Sequence, residues 1–199
     1  MKEDIITRFH QVLDAITPIT KDEFQRTTKE LEHRKLLKGE HFVTAGDTCR
    51  EIAFIGKGLL RTYYSNEQGE EVTLCFCTEN RFTTSFKSFI AHIPSELAIE
   101  AIEPSELLVL NYGSLQQLYK ETTSWPTIGR LMAEREYLNM ERYALTLNQE
   151  MAKEKYLRLL REQPQVVHRA PIQQIASYLG VTRETLSRIR SQLTHEVVL

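Results

Sequence analysis

The pattern of apolar and polar positions divides the chain into helical segments on either side of a β-rich segment. In residues 1–30 apolar residues recur at helical spacing, which predicts a helix that ends near Pro18 and a short second helix over Asp22–Leu31. Across Glu32–Leu110 short apolar runs alternate with turn signals, a pattern typical of an all-β domain. Helical spacing returns after Trp125. The chain is therefore predicted to be an α+β protein.

The predicted strands lie between glycine-containing turns, which include residues 38–39, 45–47, 56–58 and 66–69. Short strands separated by such turns are the usual units of sandwiches and barrels. The strands are predicted at His41–Thr44, Ile52–Ile55, Leu59–Tyr64, Glu71–Phe76, Leu97–Ile102 and Leu107–Leu110.

A long amphipathic helix is predicted to begin at Trp125-Pro126, because proline is tolerated in the first helical turn. Its stripe of apolar residues, interrupted by two arginines, follows a heptad spacing: Ile128, Leu131, Arg135, Leu138, Arg142 and Leu145. A helix of about 20 residues rises 1.5 Å per residue and extends beyond a small β domain. Pairing with the same helix of a second copy is therefore favoured over packing on the sheet alone.

The long helix is predicted to break near Asn148, with Asn148 or Gln149 as a hinge. A new amphipathic helix is expected over Met151–Arg161 and ends before Pro164. Pro171 is expected to open the next helix.

The segment Ile172–Ile189 has the spacing of a helix-turn-helix. Its two short helices are predicted to share an apolar face formed by Ile175, Leu179, Leu186 and Ile189. Ala176 is small where the two helices approach, and Gly180 stands where the turn needs a left-handed backbone. Val181 is expected to be buried, and Thr182 to cap the second helix.

The second helix of this motif is predicted to present one polar face for DNA. Arg183, Glu184, Ser187 and Arg188 are spaced to lie together, and they carry the donors and acceptors that recognise base edges in the major groove. The full set of candidate DNA contacts is Gln173, Thr182, Arg183, Glu184, Ser187, Arg188 and Arg190. The alternative is an ordinary helical pair with a charged face in solvent.

The charge of the chain is unevenly distributed in a way that supports this interpretation. The formal net charge is −2, yet residues 1–150 hold 17 basic and 23 acidic residues, whereas residues 151–199 hold 8 basic and 4 acidic ones. The positive part coincides with the helix-turn-helix, where attraction to phosphates is needed.

The cysteines and histidines indicate neither a disulfide framework nor an enzyme. Cys75 and Cys77 are expected to share one face of a strand, but a metal or iron–sulfur site would need further ligands nearby. Buried or half-buried thiols are therefore favoured for these two and for Cys49. The six histidines form no zinc motif or catalytic triad, and the chain has no phosphate loop.

The order of these elements, together with the motif at residues 180–189, resembles the Crp/Fnr superfamily of bacterial transcription regulators. The β domain matches more loosely, through residues 45–47, Gly58 and residues 69–71. The resemblance implies a cyclic-nucleotide-binding-like β-roll of the jelly-roll type over 1–124, a dimerisation helix over 125–148 and a helix-turn-helix domain over 149–199. It also implies that Arg183, Glu184 and Arg188 recognise G, C and G.

The chain departs from the cyclic-nucleotide members of that family at the phosphate site. Ser95 and Glu96 stand where those members carry Arg-Ser, and a carboxylate repels an anion. Lys87 is interpreted as a solvated surface charge. Cyclic AMP is therefore disfavoured as effector, no cofactor is expected, and the identity of any other effector stays open.

Three further expectations concern what the chain lacks. Residues 195–199 are too short for the β-hairpin wing of the family, so the wing is expected to be truncated or absent. Residues 1–30 contain no cysteine, which argues against the iron–sulfur branch. The sequence has no apolar run of membrane-spanning length and no signal peptide, so a cytoplasmic protein is expected.

The favoured function is a homodimeric, sequence-specific DNA-binding transcription regulator acting on an inverted repeat, with RNA polymerase as a further candidate partner. The alternative is a ligand-binding sensor whose C-terminal helices bind a protein, and a steep salt dependence of DNA binding would separate the two. Phe76, Phe82, Phe86 and Phe89 fall near the family's ligand site. We interpret them as core residues, with an aromatic pocket as the alternative.

Overall fold

A computed structural model describes the backbone of residues 2–149 and 151–197 and the side chains of residues 3–145 and 151–193. The helices are α1 (Lys2–Ile16), α2 (Lys21–Lys29), α3 (Phe86–Ala91), α4 (Tyr112–Glu121), α5 (Ser124–Gln149), α6 (Ala152–Glu162), α7 (Pro164–Arg169), α8 (Ile172–Leu179) and α9 (Arg183–Val197). The strands are β1 (Glu32–Leu36), β2 (His41–Val43), β3 (Glu51–Lys57), β4 (Leu60–Ser65), β5 (Glu71–Cys77), β6 (Phe82–Thr83), β7 (Ala98–Ala101) and β8 (Ser105–Asn111).

The strands form two antiparallel sheets of four strands each. The first sheet has the order β1-β8-β3-β6, and the second has the order β2-β7-β4-β5. Leu60, Ile99 and Ala101 of the second sheet are fully buried in the same core as residues of the first sheet. The fold class predicted from the sequence, a β-roll followed by helices, is confirmed.

Helices cover the outer face of the first sheet. Ile5, Phe9 and Leu13 of α1 are buried in the core of the β domain, and the Phe9 ring lies 5.2 Å from that of Phe54 on β3. The start of α5 joins the same core through Trp125, whose indole Nε1 donates to Thr27 Oγ1 at 2.7 Å. The first part of the long helix is thereby fixed to the β domain.

Helices α6 to α9 cover the outer face of the second sheet. Leu59, Phe76 and Ile102 of the β domain share one buried cluster with apolar side chains of α6 to α9. The Phe76 and Tyr178 rings meet edge to face at 5.7 Å. The C-terminal helices are therefore packed against the β domain of their own chain.

Most predicted strands are found within one or two residues of their expected ends, but some elements were missed. Sequence reasoning did not predict β1, β6, α3, α4 and α7. The long helix does end at Gln149, near the expected hinge, and α6 begins at Ala152; the side chains of Asn148 and Gln149 lie outside the described residues. In the described residues α9 runs to Val197 without a following strand, and no helix there is apolar and long enough to cross a membrane.

Candidate nucleic-acid interface

The turn between α8 and α9 has the geometry that the sequence predicts. Gly180 adopts a left-handed conformation with φ of 72°, which a glycine adopts without steric cost. The Val181 amide donates to the Ala176 carbonyl at 3.0 Å, and this bond closes the end of α8. Thr182 Oγ1 accepts from the Thr185 amide at 3.2 Å, so the predicted helix cap is present.

The predicted apolar face joins the two helices. Ile175 and Leu179 of α8 and Leu186 and Ile189 of α9 are all buried in one cluster. Ala176 between them is also buried, whereas Val181 is only half-buried. This packing fixes the orientation of α9 about its axis, because one side of the helix is committed to the interior.

The opposite side of α9 is a polar surface made of Arg183, Glu184, Ser187 and Arg188, all exposed. We call these four residues the polar face of α9. The pKa of Glu184 is lowered because its carboxylate accepts from its own backbone N–H and from the Thr182 hydroxyl, and because Arg183 and Arg188 are near. Glu184 is therefore an ionised acceptor at neutral pH, flanked by two cationic donors.

Two other candidate contacts occupy different surroundings. Gln173 is exposed in the first turn of α8, where it is free to face a ligand. Arg190 is half-buried, and its guanidinium lies over the Tyr156 ring of α6, 5.5 Å from the centroid. This contact packs α9 against α6, and the predicted DNA contact of Arg190 stays a prediction.

The predicted dimerisation stripe is divided by burial. Ile128 is fully buried in the core of its own chain and so cannot contact a partner, which corrects the prediction for this residue. Leu131 is partly buried. Leu138 and Leu145 are 60% and 59% exposed, and Arg135 and Arg142 are exposed beside them. The exposed part of the stripe therefore runs over the second half of α5.

Residues 85–97, which the sequence resemblance places at a phosphate site, use polar groups internally. Ser85 and Ser95 are buried, with their hydroxyl oxygens 2.7 Å apart, and Ser95 also contacts the Leu97 carbonyl. Lys87 and Glu96 form an exposed ion pair at 2.7 Å. Lys87 is the only lysine or arginine in residues 85–97. The carboxylate of Glu96 therefore neutralises the positive charge that an anionic ligand would require.

The three cysteines have different surroundings. Cys49 is buried and Cys77 is half-buried, as predicted, whereas Cys75 is exposed, which corrects the prediction for this thiol. Burial raises the pKa of Cys77 to about 12. Desolvation by the surrounding protein also raises the pKa of Cys75, although this residue is exposed. Protonated thiols are weak nucleophiles and weak metal ligands. No cluster of three or more potential metal ligands occurs in the described residues.

Sequence reasoning missed the residues that attach α6–α9 to the β domain. Ser177 Oγ accepts from the Thr73 amide at 3.0 Å and donates to the Glu71 carbonyl at 2.9 Å, which satisfies the open edge of β5. Arg169 binds both Glu79 and Glu103, at 2.7 and 2.5 Å. Neither contact has a local sequence signal, since each joins residues at least 66 positions apart.

Comparison with known proteins agrees with this geometry. Residues 33–122 match the cyclic nucleotide-binding domain family. FixK2 from Bradyrhizobium japonicum is a similar solved structure, with 21% identity and a TM-score of 0.72 over 85% of this chain and 87% of that one. The c-di-GMP responsive regulator CLP from Xanthomonas campestris has 20% identity and a TM-score of 0.68, over 89% of this chain and 93% of that one.

A third similar structure, from Eubacterium rectale, is described as a transcriptional regulator of the Crp/Fnr family. It has 20% identity and a TM-score of 0.64, and the match covers 89% of this chain and 85% of that one. A search of curated proteins finds no match. The predicted resemblance is thus confirmed for the fold of the chain.

Proposed function

We propose that this chain, which carries a cyclic nucleotide-binding domain within the fold of the Crp/Fnr regulators, is a sequence-specific DNA-binding transcription regulator. The observation that carries the proposal is the polar face of α9. Its two arginines and one ionised carboxylate are exposed side by side, while Leu186 and Ile189 on the other side of the helix are held in a buried cluster. The matched family and the similar structures are binding domains and regulators rather than enzymes.

Base recognition follows from the chemistry of the polar face. An arginine can donate two hydrogen bonds to guanine O6 and N7, and a carboxylate accepts from the cytosine N4 amino group. Arg183, Glu184 and Arg188 would therefore recognise a short G/C-containing element. Ser187 lies between them, and Gln173 and the Thr182 region would contact the adjacent phosphates.

The protein would bind DNA as a homodimer formed through α5. The proposal divides the chain into a sensor domain over 1–124, a dimerisation helix over 125–148 and a DNA-binding domain over 149–199. Two copies related by a two-fold axis would place their recognition helices about 34 Å apart, one turn of B-form DNA. The target would then be an inverted repeat.

Cyclic AMP would not control this regulator. Ser85 and Ser95 bind each other, and the only cation of the aligned segment is paired with Glu96. To bind at Lys87, a cyclic phosphate would have to displace the Glu96 carboxylate. That carboxylate would remain nearby and would repel the phosphate. Titration calorimetry of the purified protein with cyclic AMP should show no binding, and micromolar affinity would contradict this part of the proposal.

The decisive experiment selects binding sites from random duplex DNA and then measures affinity at several salt concentrations. We expect enrichment of an inverted repeat, with an affinity that falls steeply as salt rises. Arg183→Ala and Arg188→Ala should each cost about 1–3 kcal/mol on the selected site and relax the choice of one base. Arg50→Ala, an exposed arginine of the β domain, is the matched control and should leave affinity unchanged.

Two outcomes would count against the proposal. Equal losses on selected and random DNA would show that the two arginines contact only phosphates. Failure to enrich any sequence, with and without cell extract, would favour a protein partner for the polar face of α9.

A further inference from the structure

We propose that an apolar cavity beside the start of α5 is a binding site for a neutral aromatic molecule of one or two rings. The cavity has a volume of about 220 Å³. It lies on the outer face of the first sheet, under α1, α3, α4 and α5. Ser85 and Ser95 do not line it, whereas Phe86, Phe89 and Ile90 of the same segment do.

The position of the cavity follows from the strand register. Ile52 pairs with Leu110 and Phe54 with Leu108, so these side chains share the face of the first sheet that is opposite the second sheet. Ile52, Leu108 and Leu110 form the floor of the cavity. The walls come from the helices and β6, chiefly from Phe82, Phe86, Phe89, Tyr119, Trp125 and Met132.

Three of the four phenylalanines singled out in the sequence line this cavity. Phe76, the fourth, packs on the other sheet against Tyr178. The sequence alternative of an aromatic pocket is therefore supported for Phe82, Phe86 and Phe89.

The size and lining of the cavity determine the class of ligand. An apolar cavity of about 150 Å³ in another protein stays dry and binds benzene, so this larger one has room for one or two rings. The side chains that line it, all within the described residues, carry no charge, which disfavours nucleotides and other anions. Aromatic walls favour a flat ligand, because ring pairs gain from edge-to-face and offset contacts.

The cavity has an opening to solvent and contains one tyrosine hydroxyl that could bind a ligand. Ile90 lines it and is 58% exposed, so its side chain stands at the entrance. Inside, the pKa of Tyr119 is raised by burial and by the nearby Tyr112 hydroxyl. No hydrogen bond joins the Tyr119 hydroxyl to another described residue, which leaves it available to a single polar substituent on the ligand.

Trp125 makes this proposal directly testable, because it is the only tryptophan in the chain, lines the cavity and is 3% exposed. Iodobenzene is the probe, since its iodine quenches tryptophan emission on contact. We expect saturable quenching and a rise in Tm, because a ligand that binds only the folded state stabilises it. Aqueous iodide should leave the emission unchanged, since a buried indole is not reached by a hydrated anion.

Two alanine variants supply a matched pair. Ala133 lines the cavity, whereas the exposed Ala91 at the end of α3 does not. Ala133→Phe should fill the cavity and weaken iodobenzene binding at least tenfold, and Ala91→Phe should leave it unchanged. If Ala133→Phe does not fold, competition in the wild-type protein provides the test. Toluene lacks the iodine atom, so it should displace iodobenzene and restore the tryptophan emission.

Linear, non-saturating quenching without a Tm shift would overturn the proposal. So would equal binding by the Ala133→Phe and wild-type proteins, or failure of toluene to compete. The measurement needs no DNA, so its result is independent of the proposed regulatory function.

Discussion

Glu23 shows how one buried carboxylate can hold two helices together. It lies in the first turn of α2 and is only 8% exposed. Its carboxylate accepts from the Thr20 amide at 3.1 Å and, across the fold, from the Thr123 and Ser124 amides at 2.7 and 3.1 Å. Burial raises the pKa of this group, but these backbone hydrogen bonds outweigh burial and lower it to about 2. Glu23 therefore links α2 to the segment that begins α5.

We expect Glu23→Gln to lower the free energy of unfolding by about 3 kcal/mol at pH 7, because the amide cannot accept all of these hydrogen bonds. The folded-state pKa of Glu23 is depressed below its ordinary value of 4.5. The stabilisation is therefore complete above that value and is lost as the pH falls toward 2. Urea unfolding across this range should show the difference between wild type and variant shrinking with acidification.

Glu67→Gln is the control for this experiment, since Glu67 is exposed in the turn before β5. It should behave like the wild-type protein at every pH. A Glu23→Gln protein as stable as wild type at pH 7 would show that the carboxylate does not link the helices.

Substitutions of Gly180 test the backbone of the turn between α8 and α9. The Gly180 φ of 72° is left-handed, and a Cβ added there would meet nothing within 4 Å. Gly180→Ala should therefore cost only the backbone strain, about 1–2 kcal/mol of unfolding free energy. Gly180→Asn should cost less, because asparagine tolerates this conformation better. Calorimetric unfolding of both variants checks the ranking, and an alanine variant at least as stable as wild type would contradict it.

At the scale of elements, the attachment of α6–α9 to the second sheet depends on few polar contacts. Arg169 at the end of α7 forms paired hydrogen bonds with Glu79, at 2.7 and 2.9 Å, and reaches Glu103 as well. The three side chains are about a quarter to a third exposed. The pKa of Glu79 is lowered, since these hydrogen bonds and that from the Gly58 amide outweigh its burial.

Arg169→Ala should loosen this attachment by about 1–2 kcal/mol, since charge-assisted paired bonds at a half-buried site exceed ordinary surface ion pairs. The measurement is amide hydrogen exchange at Thr73, whose amide donates to Ser177 of α8. We expect exchange to accelerate about tenfold or more. Arg130→Ala, which removes only an exposed pair with Glu134, should leave this rate unchanged; an unchanged rate in Arg169→Ala would assign the attachment to apolar packing alone.

The same elements mark what local sequence signals can predict. The geometry of α8, the turn and α9 was predictable because glycine, cap and apolar spacing are local and act together. The structure confirms the conformation of Gly180, the cap at Thr182 and the burial of the four apolar residues. Strand β1 was missed because its five residues are mostly polar and only Leu36 is buried. Helix α4 was missed although Asn111 caps it, since it follows β8 without any intervening turn.

The spacing of residues along the chain could not show which side chains are buried by contacts with distant parts of the sequence. Ile128 fits the heptad stripe of α5 as well as Leu138 does, yet it is buried against the β domain. Arg190 likewise lies at the edge of the polar face of α9 but stacks on Tyr156. In both cases a tertiary contact decides the surroundings of a residue whose local pattern is ambiguous.

At the scale of the whole molecule, the two sheets separate two helical layers. The layer on the first sheet contains the start of α5 and the cavity, and the layer on the second sheet contains α6 to α9. The second half of α5 exposes a group of apolar side chains, which include Tyr137, Leu138, Met140 and Leu145. A ligand in the cavity would thus contact the base of the helix that is proposed to form the dimer.

The dimer itself can be tested with two substitutions of the same kind on opposite sides of α5. Leu138 lies on the heptad stripe, whereas Met140, 64% exposed, lies two residues further and points the other way around the helix. Leu138→Asp would place two carboxylates at the seam and remove two apolar contacts, so dimerisation should weaken about 100-fold, or about 3 kcal/mol. Met140→Asp should leave the dimer intact.

Sedimentation velocity measures the dimerisation of both variants. Because the proposed dimer has two-fold symmetry, the Leu138→Asp monomer should bind only a half-site of the inverted repeat. A dimeric Leu138→Asp protein would move the interface away from this stripe.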